Sequence, residues 1–564
     1  MKRSLCLLSA LATLLAGAPA HAQISNERLH ELMKQAADAA AQPTFSEPQA
    51  VNAEPGPSVQ LTLDNAVKFA LDRNLDIRVQ RLNPQLQDIA YASAKAFYSP
   101  TLGSAFNHSS SVGVPSSQLQ LSSGGRGITQ ERLVYNGSIT QNLPKWGGLL
   151  SATFNNNRAD SDSNNALFNP QYNSTWQAVL TQPILRDFRI DAQRRTLAVT
   201  KINREISDVQ LKASITNLVS NVRNAYWDFV YATQAVEVAQ QSLDLADKLV
   251  QDNQTRVEVG TMAPIDVVQA RAEQATRRQG LVSAQNTRRT TELVLKRLIV
   301  SGTDDTNWSA TIDPVDRPDF QPTTVDLESA IRRALNERTD VEIAKKNIQS
   351  NQTTLAYLRN QALPIVDASL TYGVNGIGGT QLVRQSNGQL GSNIQQVVPG
   401  SIFDAFSSLL HNRYPSWTVG LNVTYPLGTS TQQAAVARAR VQLNQVDAQV
   451  KQIELQVATE LTNAAINVRN TAESVQAAQA ARELSTQRLD AEQSKMDVGM
   501  TTNYQVVQAQ RDLNDARNSE LRAILNYRKA QVEFERLQET TLQNTNITII
   551  AAGGGAGAAG GGGF

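Results

Sequence analysis

Cysteine is all but missing from this chain. Of 564 residues one is cysteine, Cys6, and four are histidine. Cys6 lies in a segment that reads as removed on export, so the mature chain has no disulfide, cysteine-ligated zinc or thiol nucleophile. His30, His108 and His411 stand far apart with no ligand spacing, so no metal site is expected. Neither sign of charge dominates: 52 Lys+Arg face 51 Asp+Glu, for a formal net charge of +1. Such a balance offers no basic field for nucleic acid and no polybasic patch for a membrane surface. No nucleophile and base cluster, so neither an enzyme nor a bound cofactor is expected. Beyond the first 22 residues no apolar run approaches the ~20 residues that a membrane-spanning helix requires. If the chain crosses a membrane it must do so as a closed β-barrel, whose ~10-residue strands escape hydropathy windows.

The first 22 residues carry the address. Lys2 and Arg3 form a positive start, Leu5 to Leu15 an apolar stretch, and Ala20-His21-Ala22 a small-residue cleavage site. This is a signal peptide, too short in its apolar part to span a bilayer. The mature chain is expected to begin near Gln23, with a short helical segment and a Pro-rich linker up to about residue 60.

The body of the chain is a tandem duplication. Leu63-Asp64-Asn65-Ala66-Val67-Lys68 matches Leu327-Glu328-Ser329-Ala330-Ile331-Arg332, 264 residues later. Thr62 and Asp326 both suit helix N-caps, and Pro100 and Pro364 both close the helical run that follows. Later in each half Val259-Gly260-Thr261 recurs as Val498-Gly499-Met500, now 239 residues apart. The first half therefore carries roughly 25 extra residues in its middle.

Two patterns alternate within each half. Val366, Ala368, Leu370, Tyr372 and Val374 alternate with small or polar residues, as do Val419, Leu421, Val423 and Tyr425. Period two over this length is a strand with one apolar and one polar face. Leu102 to Phe106 and Trp176 to Leu180 are weaker first-half versions of the same pair. Leu143 to Leu149 reads as a hairpin turn between Ser138–Gln141 and Ser151–Phe154, which leaves open whether the insertion lengthens a loop or adds strands. Gly376-Ile377-Gly378-Gly379 lacks the Lys-Ser/Thr of a phosphate loop and reads as an ordinary loop. Arg189 to Val259 and Gln432 to Met496 contain neither Pro nor Gly, enough for helices of roughly 100 Å. Val436, Leu443, Val450, Val457 and Ala464 recur every seven residues, with Ala439, Val446 and Ile453 between them, as a coiled-coil seam. Shorter helices, Ile265 to Ile299 and Asn503 to Leu537, should return antiparallel after the Gly turns.

The order of helix, strand pair, long helix, Val-Gly turn and return helix resembles the TolC-type outer-membrane efflux protein family. The likeness runs from about Leu61 to Leu537. It rests on LTLDNAVKFALDRN and VDLESAIRRALNER, on Ser99-Pro100 and Leu363-Pro364 before the strands, and on VGT and VGM. It implies a mixed α and β membrane protein, with four strands per chain in a trimeric outer-membrane β-barrel continued by a long periplasmic α-helical barrel. The division expected is signal peptide 1–22, extension and linker 23–60, first repeat 61–300 with strands at about 101–185, and connecting linker 301–325. The second repeat follows at 326–540 with strands at about 365–427, then a Gly/Ala-rich flexible tail at 541–564. Such a protein is an exit duct of an efflux pump or type I secretion system, located in the outer membrane with its helices in the periplasm. Its implied partners are two further copies in a homotrimer, outer-membrane lipid, a periplasmic adaptor and, through it, an inner-membrane transporter. The alternative from pattern alone is a periplasmic coiled-coil scaffold without a pore.

The resemblance also assigns sites. Val259, Gly260, Thr261, Val498, Gly499 and Met500 match the adaptor-contacting tips, although Gly after a helix is equally an ordinary cap. Family members place carboxylates six and nine residues after the second turn's Gly, where this chain has the neutral Gln505 and Gln508. Asp512 and Asp515 continue the same helical face about 10 Å further along. Asp266 keeps the acid in the first half. The expectation is a constriction lined by Gln505 and Gln508 with acidic rings from Asp512 and Asp515 behind it. The bland alternative has both aspartates solvated or paired with Arg511 and Arg517.

Overall fold

Helix caps and prolines set the element boundaries. The computed structural model describes residues 58–545 except 115–126, 164, 318, 385–393, 426 and 429. The expected signal peptide, the extension up to 57 and the chain beyond 545 lie outside the described residues. The first half runs β1 (Ser58–Leu61), α1 (Leu63–Arg73), α2 (Leu75–Gln80) and α3 (Leu82–Ala96). It continues through β2 (Thr101–Val112), β3 (Thr129–Asn142), β4 (Leu149–Ser161) and β5 (Phe168–Pro183) to α4 (Ala192–Glu258) and α5 (Pro264–Ile299). The short α6 (Thr306–Ser309) and β6 (Thr311–Pro314) join the halves. The second half runs α7 (Leu327–Glu337), α8 (Thr339–Gln361), β7 (Ile365–Arg384), β8 (Ile394–Val398), α9 (Ile402–Leu410) and β9 (Tyr414–Thr424). It closes with α10 (Thr431–Asp497), α11 (Asn503–Leu537) and α12 (Thr541–Asn544).

The duplication is visible in detail. Thr62 caps α1 by accepting from the Asn65 N–H, and Asp326 caps α7 by accepting from Ser329. β2 and β7 each begin one residue after their proline, and α4 and α10 are both 67 residues long. At 1.5 Å per residue each spans about 100 Å. Among the described residues no helix is long and apolar enough to cross a membrane.

One sheet gathers strands from both halves in the order β2-β3-β4-β5-β7, with β9 along the lower part of β7 and β8 along its upper part. All its pairings are antiparallel. The four strands per chain implied by the resemblance are therefore corrected to six long strands and the short β8. The insertion forms the β3–β4 hairpin, its strands joined at the Leu143–Gly148 turn, and it adds two strands to the sheet between β2 and β5. In the second half the same position holds β8 and α9, and α9 folds back over the sheet. Gly376 and Gly378, read from sequence as loop, lie within β7 beneath that helix. A Cβ at Gly378 would stand 2.6 Å from the Ser401 carbonyl oxygen, so the glycines exist to let α9 approach.

The registers sort the side chains onto two faces. Leu102, Ile139, Ala152, Ala178, Tyr372 and Trp417 share one row, each opposite the next. Ala105, Asn136, Asn155, Thr175, Asn375 and Tyr414 share a row on the other face. Toward the helical end one face is thus apolar and the other rich in Ser, Thr, Asn and Gln, whereas further out the first face also carries Asn156, Arg158, Asp160 and Glu131.

The helical part is held by a core around Tyr226, Phe229, Val219, Val222, Leu295 and Ile299. Burying a side chain the size of Phe229 contributes about 2–3 kcal/mol. β1 and β6 pair in parallel beside this core, so the stretch expected to be a plain linker carries a strand of its own. The Tyr226 hydroxyl lies 2.7 Å from Asp316 and 3.0 Å from the Leu61 carbonyl, tying the ladder to α4. The segment expected to open the flexible tail starts with α12, whose Leu542 is buried in the same core. Further up, the α10 seam is uneven: Val450, Val457 and Ala464 are buried, whereas Val436, Ala439, Leu443 and Val446 are only half-buried.

Candidate functional site

The two helix hairpins, α4–α5 and α10–α11, end side by side at the pole opposite the sheet. Each turn is built the same way. Gly260 (φ 77°) and Gly499 (φ 75°) adopt the left-handed conformation that ends a helix, for which glycine is best suited. Thr261 N–H donates to the Arg256 carbonyl at 2.9 Å and Met500 N–H to the Lys495 carbonyl at 2.8 Å, closing Schellman motifs. The glycines are caps, and around them the tip is apolar and open. Val259 and Val498 are each 68% exposed and Met500 77%. Ile265 and Tyr504 are exposed beside them.

Polar contacts bolt the hairpins together. Asn253 donates to Asn503 at 3.0 Å with both side chains buried, and Asn503 donates to the Asp266 carbonyl. Arg256 reaches across to the Met496 carbonyl and pairs with Asp497 at 3.0 Å. One turn to three turns further in, Glu273 receives Arg511 and Arg277, each at 2.6 Å. Burial alone would raise the Glu273 carboxyl, but the Arg511 and Arg277 guanidiniums outweigh it and hold the group below the ordinary glutamate value. Beneath these contacts Leu249, Val250, Ala270, Leu489, Val506 and Val507 form one apolar cluster drawn from all four helices.

The residues expected at the constriction occupy one side of α11. Gln505 and Asp515 are exposed, Gln508 and Asp512 half-buried, while Val506, Val507 and Leu513 face the cluster. Asp512 accepts from Arg488 at 2.6 Å and from Gln508 at 2.8 Å. Its partner is thus Arg488 rather than Arg511 or Arg517. Arg511 belongs to Glu273, and Arg517 donates to Gln241. Asp515 and Asp266 form no ion pair among the described residues.

Glu273, Arg511, Asn253, Asn503 and Arg256 were not singled out from the sequence. One signal was available: an acid stands thirteen residues after the turn Gly in both halves, Glu273 and Asp512. Each now holds an arginine. The asparagine pair had no such signal, because Asn253 and Asn503 are not equivalent positions of the repeat.

A two-faced antiparallel sheet stands at one pole of the chain, and a bundle of helices about 100 Å long with apolar tips stands at the other. The family model for outer membrane efflux protein matches residues 140–300 and 330–538, and the chain belongs to that family. No curated protein sequence matches it. Its fold is similar to that of the transmembrane channel protein CusC, with a TM-score of 0.60 at 15% identity over 88% of this chain and 97% of that one. The outer membrane protein VceC of Vibrio cholerae matches with a TM-score of 0.58 at 14% identity, over 84% and 95%. The outer membrane channel CmeC of Campylobacter jejuni matches at 0.57 and 14%, over 90% and 98%. Family membership decides between duct and scaffold. The protein is an outer-membrane exit duct of an efflux system, its helical part in the periplasm, and its family is one of channels rather than enzymes.

Proposed function

We propose that three copies of the chain, exported by the signal peptide at 1–22, close their sheets into one outer-membrane barrel and their helices into one periplasmic tube. Val259, Gly260, Thr261, Val498, Gly499 and Met500 dock on a periplasmic adaptor, which links the duct to an inner-membrane transporter in a tripartite pump or type I secretion system. Substrate then passes through passively, and no cofactor takes part. At the narrow end Gln505 and Gln508 form the constriction, with Asp266, Asp512 and Asp515 supplying charge near it.

The observation that carries this reading is the unfinished sheet. Among the described residues β2 pairs only with β3, and β9 only with β7. Leu102 on β2 is 81% exposed and Trp417 on β9 is 72% exposed. Open strand edges with an apolar face are unsatisfied in water and unsatisfied in lipid unless a ring closes. The half-buried upper seam of α10 supports the same reading, since a neighbouring copy would cover it.

Detergent-extracted protein, sized by light scattering and added to a planar bilayer, should be trimeric and give discrete conductance steps. Folded protein that stays monomeric and enters no bilayer would overturn the trimeric closure proposed here.

A further inference from the structure

We infer that the outer-membrane barrel is closed by eighteen strands, six from each of three copies, so that the β3–β4 hairpin is part of the wall rather than a loop above it. The inference rests on the trimeric duct proposed above and deepens it.

Three observations carry it. The first is the pattern on the hairpin itself. Tyr135 and Ile139 of β3 and Ala152 and Phe154 of β4 fall on the apolar face of the sheet, whereas Asn136, Ser138, Thr153 and Asn155 fall on its polar face. A loop in water has no use for a lipid-facing stripe in register with its neighbours. The second is the anchoring of its turn at the helical end of the sheet. Trp146 stacks on Phe188 with ring centroids 6.5 Å apart, Gln182 donates to the Trp146 carbonyl at 2.7 Å, and Asn142 donates to the Phe97 carbonyl. Arg194, at the start of α4, lies against Gly147, where an added Cβ would meet it at 2.8 Å. A short turn at the periplasmic end is what a wall hairpin requires. The third is the match between the two free edges. β2 has 12 residues and leaves the helices outward, β9 has 11 and returns inward. A β9 edge therefore pairs antiparallel with the β2 edge of a second copy over nearly its full length, and the six-strand unit repeats without a parity error.

Strand number sets bore. With strands about 4.8 Å apart and tilted about 40°, eighteen give a wall about 36 Å across, against about 24 Å for twelve. The cross-section roughly doubles. Between Asp367 at the helical end and Arg132 near the other, no position of the polar face on the six strands carries a charge. The outer half of the duct is thus a wide, neutral, hydrogen-bonding bore suited to bulky polar cargo, and selection by charge falls to the helical tip.

Disulfide trapping in the full chain in outer membranes tests this, on a mature chain that brings no cysteine of its own. Ala105→Cys with Asn136→Cys should lock within one chain, reporting β2–β3 pairing. Ala105→Cys combined in turn with Ser416→Cys, Thr418→Cys and Gly420→Cys should give covalent dimers and trimers at one register, reporting closure through β2 and β9. Locking of Ala105→Cys with Thr175→Cys, with Asn136→Cys left free, would place β2 directly beside β5 and overturn the eighteen-strand wall while leaving the trimer intact. Failure of every β9 position to link copies, in protein that is monomeric by light scattering, would overturn the trimeric closure on which the eighteen-strand wall rests.

Discussion

Glu273 on α5 and Arg511 on α11 meet across the two hairpins at 2.6 Å, the acid 2% exposed and the guanidinium 48%. The pair joins halves of the duplication that the tip turns alone leave separate. A charge-assisted hydrogen bond of this kind contributes about 1.5–3 kcal/mol. Glu273→Gln should therefore loosen the tips, and single-channel conductance at neutral pH should rise above that of the parent.

The same pair sets a pH dependence. Its native pKa lies below the ordinary glutamate value, so its stabilisation is complete above that value and is lost as pH falls through the native one. The parent channel should hold its conductance at neutral pH and open as pH falls below the ordinary glutamate range, while Glu273→Gln shows no such step. A step of equal size in both proteins would assign the acid response elsewhere.

Gly499 separates capping from docking. An added Cβ would meet nothing within 4 Å, so a large side chain fits in space, and the cost is the left-handed backbone at about 1–2 kcal/mol. Gly499→Trp should leave the trimer assembled and weaken adaptor binding about 30-fold, the loss expected of a 2 kcal/mol hot spot. Cross-linking to the adaptor, scored beside trimer content, reads both. Loss of the trimer would make Gly499 a folding residue instead.

Charge at the constriction is unevenly shared. Asp512 is neutralised by Arg488, whereas Asp515 is unpaired among the described residues. Reversal potentials in a salt gradient should show Asp515→Asn losing more cation preference than Asp512→Asn. Identical selectivity in both variants and the parent would remove the acidic ring.

How much of this was legible depended on the range of the signal. The helix limits follow from local chemistry: Asn503–Leu537 is the span read between the second Gly turn and the end of its apolar period. The β7 and β9 strands were visible because their alternation is clean, and β2 and β5 showed a weaker version of it. Of β3 and β4 only the stretches beside the turn, Ser138–Gln141 and Ser151–Phe154, were legible, since Leu133-Val134 and Leu149-Leu150 break the period and Asn155-Asn156-Asn157 hides which face is which. Only the ladder registers resolve them. Glu273 and Arg511 are 238 residues apart, and a contact at that separation leaves no local pattern.

The glycines of β7 offer the last test, because they distinguish a loop from a packed strand. A Cβ at Gly376 would overlap the Ala405 carbonyl oxygen of α9, while one at Gly137, on the same face of β3, would meet nothing within 4 Å. Phe406 of the same helix packs on Phe154 of β4 with centroids 5.9 Å apart, so α9 cannot shift without disturbing the inserted hairpin as well. Overpacking of this kind costs about 1–3 kcal/mol. Gly376→Val should lower the temperature at which the detergent-solubilised trimer dissociates on a semi-native gel, and Gly137→Ala should leave it unchanged. Equal tolerance of both would mean that α9 does not rest on the sheet, and that β7 is glycine-rich for some other reason.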